Sequence, residues 1–246
     1  MRSVSLLTVL GLVFAFGFSS PASAQDIVWT AGGADFFTFF YDSGNDSWDV
    51  VFRTKASGTV ATGLTNPYGT PPGGVGESPR DYRFDTLTGI IDTPGHRVIH
   101  SMDYLVTGPT PLDPGFRTRL REGDPAVDQF AAFRLELDWA ASTRPQDAEF
   151  VMFNLDPFGA VNQVPYETAT NQLSADWSVW DHWHWMFGFS EPGDYELVFD
   201  FAGLDGNGTV ASSYGTASVN FTVVPEPASL SLLALGGILL FRTRRS

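Results

Sequence analysis

Trp177-Ser178-Val179-Trp180-Asp181-His182-Trp183-His184-Trp185-Met186-Phe187-Gly188-Phe189-Ser190-Glu191-Pro192-Gly193-Asp194-Tyr195-Glu196-Leu197-Val198-Phe199 is the stretch on which the fold turns. Successive side chains of a strand point to opposite faces. That period puts Val179, Asp181, Trp183, Trp185, Phe187 and Phe189 on one face, and Trp180, His182, His184 and Met186 on the other. The run from Trp183 to Phe189 therefore presents an aromatic, core-seeking face with a histidine pair behind it. Glu191-Pro192-Gly193-Asp194 carries turn chemistry, because Pro fixes φ and Gly tolerates conformations closed to other residues. Residues 195–201 then alternate again, so the pattern predicts a hairpin with a returning strand.

Working outward, short apolar or alternating runs recur between clusters of Gly, Pro, Asn and Asp, as strands and turns do. They predict strands at 35–42, 47–54, 58–62, 82–91, 97–106, 126–140, 149–154, 179–190, 195–202 and 211–224. Residues 66–79, with four prolines and four glycines, read as an irregular loop, and residues 108–125 as a second one. No amphipathic helix stands out. The expected fold class is all-β, a single immunoglobulin-like β-sandwich. A composition of 14% aromatic residues, with 21 Phe and a lone lysine at Lys55, agrees with sheets more than with charged surface helices.

Composition also excludes functions. The absence of cysteine removes disulfides, thiolate metal sites and cysteine nucleophiles together. Fourteen basic residues against 28 acidic ones give a net charge of −14, which argues against a nucleic-acid partner. No Gly-x-Ser-x-Gly, P-loop, His-Glu-x-x-His or dinucleotide fingerprint occurs, so the expectation is a protein that is not an enzyme.

The two ends read as addresses. Arg2, the apolar run 6–18 and the triplet Ala22-Ser23-Ala24 form a secretory signal peptide over residues 1–24, with Ala22 and Ala24 at the cleavage site. An extracellular β-sandwich domain follows over 25–224. Residues 225–246 open with Pro225-Glu226-Pro227, continue as the apolar segment 230–241 and close with Arg242, Arg244 and Arg245. About a dozen apolar residues is short for a stable span, which needs roughly 20, so the segment reads as a short transmembrane helix serving as a transient inner-membrane anchor. Its basic cap would stay cytoplasmic.

This tail resembles the PEP-CTERM sorting signal. The resemblance implies processing near Pro-Glu-Pro by exosortase, after export through signal peptidase, in a Gram-negative bacterium that makes exopolysaccharide. Residues 182–195 in turn resemble the signature of the choice-of-anchor M surface proteins, a His-x-His-x-Trp-x-Phe run followed by a Pro-Gly turn and a Tyr-bearing strand. Ala34-Asp35-Phe36 and Ser47-Trp48-Asp49-Val50 match the family's opening strands more loosely, and Gly33 stands where members commonly carry His. The two resemblances imply a secreted or cell-surface protein, and the leading expectation for it is a structural or adhesive role, with exopolysaccharide or other surface proteins as partners.

Three constellations could carry chemistry. His182 and His184 share a strand face about 7 Å apart along the chain, a spacing at which two neutral imidazoles can chelate one divalent transition metal. Asp35, His96 and His100 are the candidates for a third ligand. The competing reading is a solvated histidine pair at a sheet edge. Asp205-Gly206-Asn207-Gly208-Thr209 resembles a calcium loop in its oxygen spacing but reads better as a tight turn. Trp29, Trp48, Trp139, Trp177 and Trp180 would stack on sugars if exposed, making a glycan-binding module the counterpart of a metal-binding one.

Replacing Pro225-Glu226-Pro227 with alanines is expected to leave the protein in the membrane fraction. Release of the substituted protein, or a mature mass still containing residues 230–246, would contradict the sorting signal.

Overall fold

The computed structural model describes residues 26–55, 60–62, 79–82, 84–91, 95–99, 102–107, 112–120, 130–179 and 182–225. Both addresses, apart from Pro225, lie outside the described residues: Ala22, Ala24, Glu226, Pro227, Arg242, Arg244 and Arg245 among them. Within the described residues the protein is all-β, with one short 3-10 turn at Thr168–Thr170 and no helix long and apolar enough to cross a membrane. In chain order the strands are β1 (Asp26–Asp42), β2 (Ser47–Lys55), β3 (Val60–Thr62), β4 (Pro79–Tyr82), β5 (Thr86–Ile91), β6 (Gly95–Ile99), β7 (Met102–Thr107), β8 (Leu112–Leu120), β9 (Ala132–Leu137), β10 (Phe150–Leu155), β11 (Val161–Glu167), β12 (Ser174–Ser178), β13 (His182–His184), β14 (Met186–Phe189), β15 (Gly193–Leu204) and β16 (Gly215–Val223).

β1 joins two stretches of one large sheet. Its first residues pair antiparallel with β3 and parallel with β5, and from Gly32 onward it pairs parallel with β8 and then antiparallel with β2. The sheet runs β12-β9-β15-β16-β5-β1-β2-β4, with β8 branching from β1 and β13 pairing with β8. A second sheet runs β11-β10-β14-β7-β6.

One aromatic core lies between the sheets. β9 turns Phe133, Leu135 and Leu137 inward, and β15 turns Tyr195, Leu197, Phe199 and Phe201 inward, the period of two that a half-buried strand requires. From the second sheet Phe150, Met152, Phe187 and Phe189 enter the same cluster. The rings of Phe36 and Phe187 meet edge to face at 5.6 Å, and Phe187 and Phe221 at 5.5 Å, so the sheets are joined by aromatic packing. Each fully buried Phe contributes roughly 1.5–3 kcal/mol by removing its ring from water.

The structure corrects several expectations from the sequence. The strand expected at 179–190 is two strands in different sheets: β13 pairs with β8, whereas β14 pairs with β10 and β7. The expected hairpin does not form, because β15 pairs with β16 and β9. Alternation could not reveal this crossing. Both sheets face one core, so Trp185, Phe187 and Phe189 stay buried while the chain changes sheets at Trp185, whose N–H donates to the Pro114 carbonyl at 3.0 Å.

The loop expected at 108–125 contains β8, which lies between β1 and β13. Residues 82–91 and 97–106 each take part in two strands, the described part of the run expected at 126–140 forms a strand over β9, and β11 and β12 are additional. The stretch at 35–42 begins at Asp26, upstream of the glycine pair that disguised its first half.

The Asp205 segment is a turn, as expected. Asp205 Oδ1 accepts the N–H groups of Asn207 and Thr209 at 2.8 and 2.9 Å, and Gly208 takes φ +76°. The Thr209 and Asn207 N–H groups hold the Asp205 carboxyl below its ordinary range. Asp156 makes the same turn, accepting from Phe158 and Ala160 at 2.9 Å each.

Burial pushes the phenols of Tyr104 and Tyr195 up to about 12. Unfolded tyrosines ionise near 10. The folded state holds these protons more tightly, so their contribution to stability is complete below pH 10 and is lost as the pH rises toward 12. Circular dichroism is expected to show alkaline unfolding within that window, coincident with late phenolate absorbance. Ionisation of both residues near pH 10 with the fold intact would contradict it.

Candidate metal centre

Three strands build the site, and a β-bulge aims its carboxylate. In β1, Asp35 has the same parity as Phe37, Phe39 and Tyr41, so strict alternation would place all four on one face. The pairing shifts register between Asp35 and Thr38 against β2, and between Asp35 and Phe37 against β8. The extra residue lets Phe36 and Phe37 both enter the core. By register Asp35 and Thr38 then share the opposite face. Asp35 is only 5% exposed.

Across the sheet, Asp35 pairs with Gly115 of β8, and Gly115 pairs with His184 of β13. The neighbouring rung runs from Thr38 through Arg117 to His182. Gly115 is required by space. A Cβ there would lie 2.7 Å from the Trp183 carbonyl oxygen and 2.9 Å from Cε1 and Nδ1 of His184. The bare backbone lets the His184 ring lie over it toward Asp35.

The result is a convergence of three ligand atoms. Nε2 of His182 lies 2.8 Å from Nε2 of His184 and 2.7 Å from Oδ1 of Asp35, and His184 Nε2 lies 3.7 Å from the same oxygen. Tetrahedral zinc, with bonds of 2.0–2.2 Å to nitrogen and oxygen, sets its ligand atoms about 3.3 Å apart. The three separations straddle that value.

Proton counting favours a cation as well. His182 Nε2 faces both His184 Nε2 and Asp35 Oδ1, but a ring nitrogen either carries one proton or offers one lone pair. It cannot serve both neighbours well, and Asp35 Oδ1 is buried without an aligned hydrogen bond. A metal ion would accept all three lone pairs. His182 and His184 keep 32% and 30% of their side-chain surface exposed, so solvent reaches the site from the β13 side.

Arg117 Nε lies 3.3 Å from Oδ2 of Asp35, an ion pair not aligned as a hydrogen bond. Buried Arg53 stands opposite Asp35 on β2, its guanidinium carbon 6.0 Å from the centre of the Phe40 ring.

Of the candidate ligands, Asp35, His182 and His184 come together. His96 belongs to β6, in the second sheet, and its side chain lies outside the described residues, as does all of His100. The sequence reading missed Gly115 and Arg117. Their signal was the alternation of Phe116, Arg117 and Thr118, hidden by Asp113-Pro114-Gly115, which reads as a turn.

Four of the five tryptophans offered for sugar stacking are engaged within the fold. Trp29 and Trp177 are buried, Trp48 packs among Tyr41, Phe130 and Phe201, and half-buried Trp139 lies beneath Arg144 at 4.0 Å. Trp180 lies outside the described residues.

No protein-family model matches this chain, and no curated protein matches it.

Gly115→Ala is expected to lose about 1–3 kcal/mol through overpacking against the Trp183 backbone and to turn His184 away from Asp35. Chemical denaturation measures the first effect and the His184 ring resonances in NMR report the second. Unchanged stability and resonances would show that the rung tolerates a side chain.

Proposed function

We propose that this chain is an exported surface or matrix protein whose all-β body is a binding module, without catalysis, for a divalent transition metal. The convergence of Asp35 Oδ1, His182 Nε2 and His184 Nε2 carries this reading. Two imidazoles and a carboxylate suit zinc, copper, nickel, iron or manganese better than calcium, which prefers a shell of oxygens. A bulged strand and a glycine rung hold the ligands, so little ordering is needed when the metal arrives.

The export half of the proposal rests on the sequence. The run at 6–18 ahead of Ala22-Ser23-Ala24, and the Pro225-Glu226-Pro227 tail with its arginines, support delivery to the cell surface by an exosortase. The resemblance of residues 182–195 to the choice-of-anchor M signature supports a surface role. Aromatic packing between two sheets supports the finer reading of the body as one immunoglobulin-like sandwich.

Protein purified without a histidine tag and equilibrated with metal at neutral pH is expected to retain about one equivalent by elemental analysis. His182→Ala or His184→Ala should remove most of it, because two remaining ligands hold a metal weakly. Less than a tenth of an equivalent in the unsubstituted protein would overturn the metal reading.

A further inference from the structure

We propose that the centre binds its metal together with an anion, a carboxylate-bearing ligand that completes the metal's coordination and is held by the Arg117 guanidinium. This rests on the metal reading above and adds the chemical class of the second ligand.

Local charge is the first ground. The chain is acidic overall, but the ligand set itself contains one carboxylate. Asp35 supplies one negative charge, and Arg117 is ion-paired to it at 3.3 Å. A divalent ion entering here meets a carboxylate already neutralised by arginine. A divalent ion held by that carboxylate and two neutral imidazoles keeps at least one positive charge that its protein ligands do not neutralise, which is costly beside a buried wall of low dielectric. An anion arriving with the metal removes that cost.

Coordination is the second. Three protein ligands leave at least one position open, and in metal centres with two His and one carboxylate the open positions are where exogenous ligands bind. The histidines and Arg117 are the partly exposed members of the cluster, so the open position lies on their side.

Unused donors are the third. Arg117 makes its one described ion pair through Nε, off hydrogen-bond alignment. Arg117 shares the rung of His182, and the planar guanidinium fork matches a carboxylate. A carboxylate with one oxygen on the metal and the other on Arg117 uses the open position and the guanidinium together.

The test uses Co(II), whose visible bands report coordination, with acetate as the anion and acetamide as its uncharged control. Acetate is expected to change the spectrum of the Co(II)-loaded protein saturably and to tighten Co(II) binding at least fivefold, since coupling between two ligands is reciprocal. Acetamide should do neither. Arg117→Gln should take up Co(II) at least as tightly as the parent, having lost a repelling charge, but its acetate response should weaken tenfold or more. Arg117→Lys, which keeps the charge and loses the fork, should recover only part of it.

Co(II) uptake with bands indifferent to acetate would overturn the anion proposal and leave the metal reading standing. An equal acetate response in Arg117→Gln, or acetate binding of the same strength without metal, would also overturn it. Failure to take up Co(II) would overturn the metal reading itself, and this proposal with it.

Discussion

The β-bulge at Asp35 to Phe37 is the constraint on which the rest of the molecule depends. β1 is the strand that both stretches of the large sheet share, and its second half is buried on both faces. Such a strand must sort every side chain correctly, because a carboxylate among phenylalanines, unpaired and out of reach of water, costs far more than one ring contributes. Parity alone would sort Asp35 with Phe37, Phe39 and Tyr41. The extra residue changes the parity once, after Asp35, and both flanking strands shift register to accommodate it. One irregularity thus serves core and site together: it supplies two consecutive aromatics to the packing between sheets and turns the carboxylate toward the histidines.

Gly115 and the crossing at Trp185 extend the same logic across the sheet. A site assembled on adjacent strands needs ligands at facing register positions and space above the strand between them. β8 provides the space by having no side chain on the rung that joins Asp35 to His184. β13 is only three residues long because the chain then leaves for the second sheet, where Phe187 and Phe189 meet Phe150 and Phe221. The histidines are therefore fixed at one end by pairing with β8 and at the other by the aromatic core. That anchorage makes the position of their rings a property of the fold.

Many of the chain's acids serve their own surroundings. Asp42, Asp156 and Asp205 accept backbone N–H groups within their turns. Asp46 accepts the Tyr41 hydroxyl and the Ser213 N–H, bonds that hold its carboxyl below the ordinary range. Asp176 is taken by Arg134 in a two-pronged pair at 2.7 and 2.8 Å. Charge spread over turns and edges keeps a protein soluble, but it does not set the potential at one rung of a sheet. There the ligand groups and the ion pair decide: Asp35, the two imidazoles and Arg117.

The sequence by itself determined the all-β class, the turn at Asp205 and the shared face of His182 and His184, because each follows from local rules: a period of two along a strand and the preferences of Gly, Asp and Asn in turns. It also supplied Asp35 as a candidate partner without ranking it above His96 or His100. Tertiary structure decided the rest. The two histidines, spaced about 7 Å apart along a strand, bring their Nε2 atoms within 2.8 Å with the His184 ring lying over a bare rung. β8 stayed hidden because Asp113-Pro114-Gly115 has turn chemistry, yet here it lies in a strand beside a bulge, its Pro114 carbonyl accepting from Trp185. The crossing at Trp185 left no mark on the alternation, since either sheet offers the same core to the same face. Periodicity records which side of a strand meets apolar surroundings. Which strand lies next to it is set by pairings between residues far apart in the chain, and those depend on the whole core being assembled.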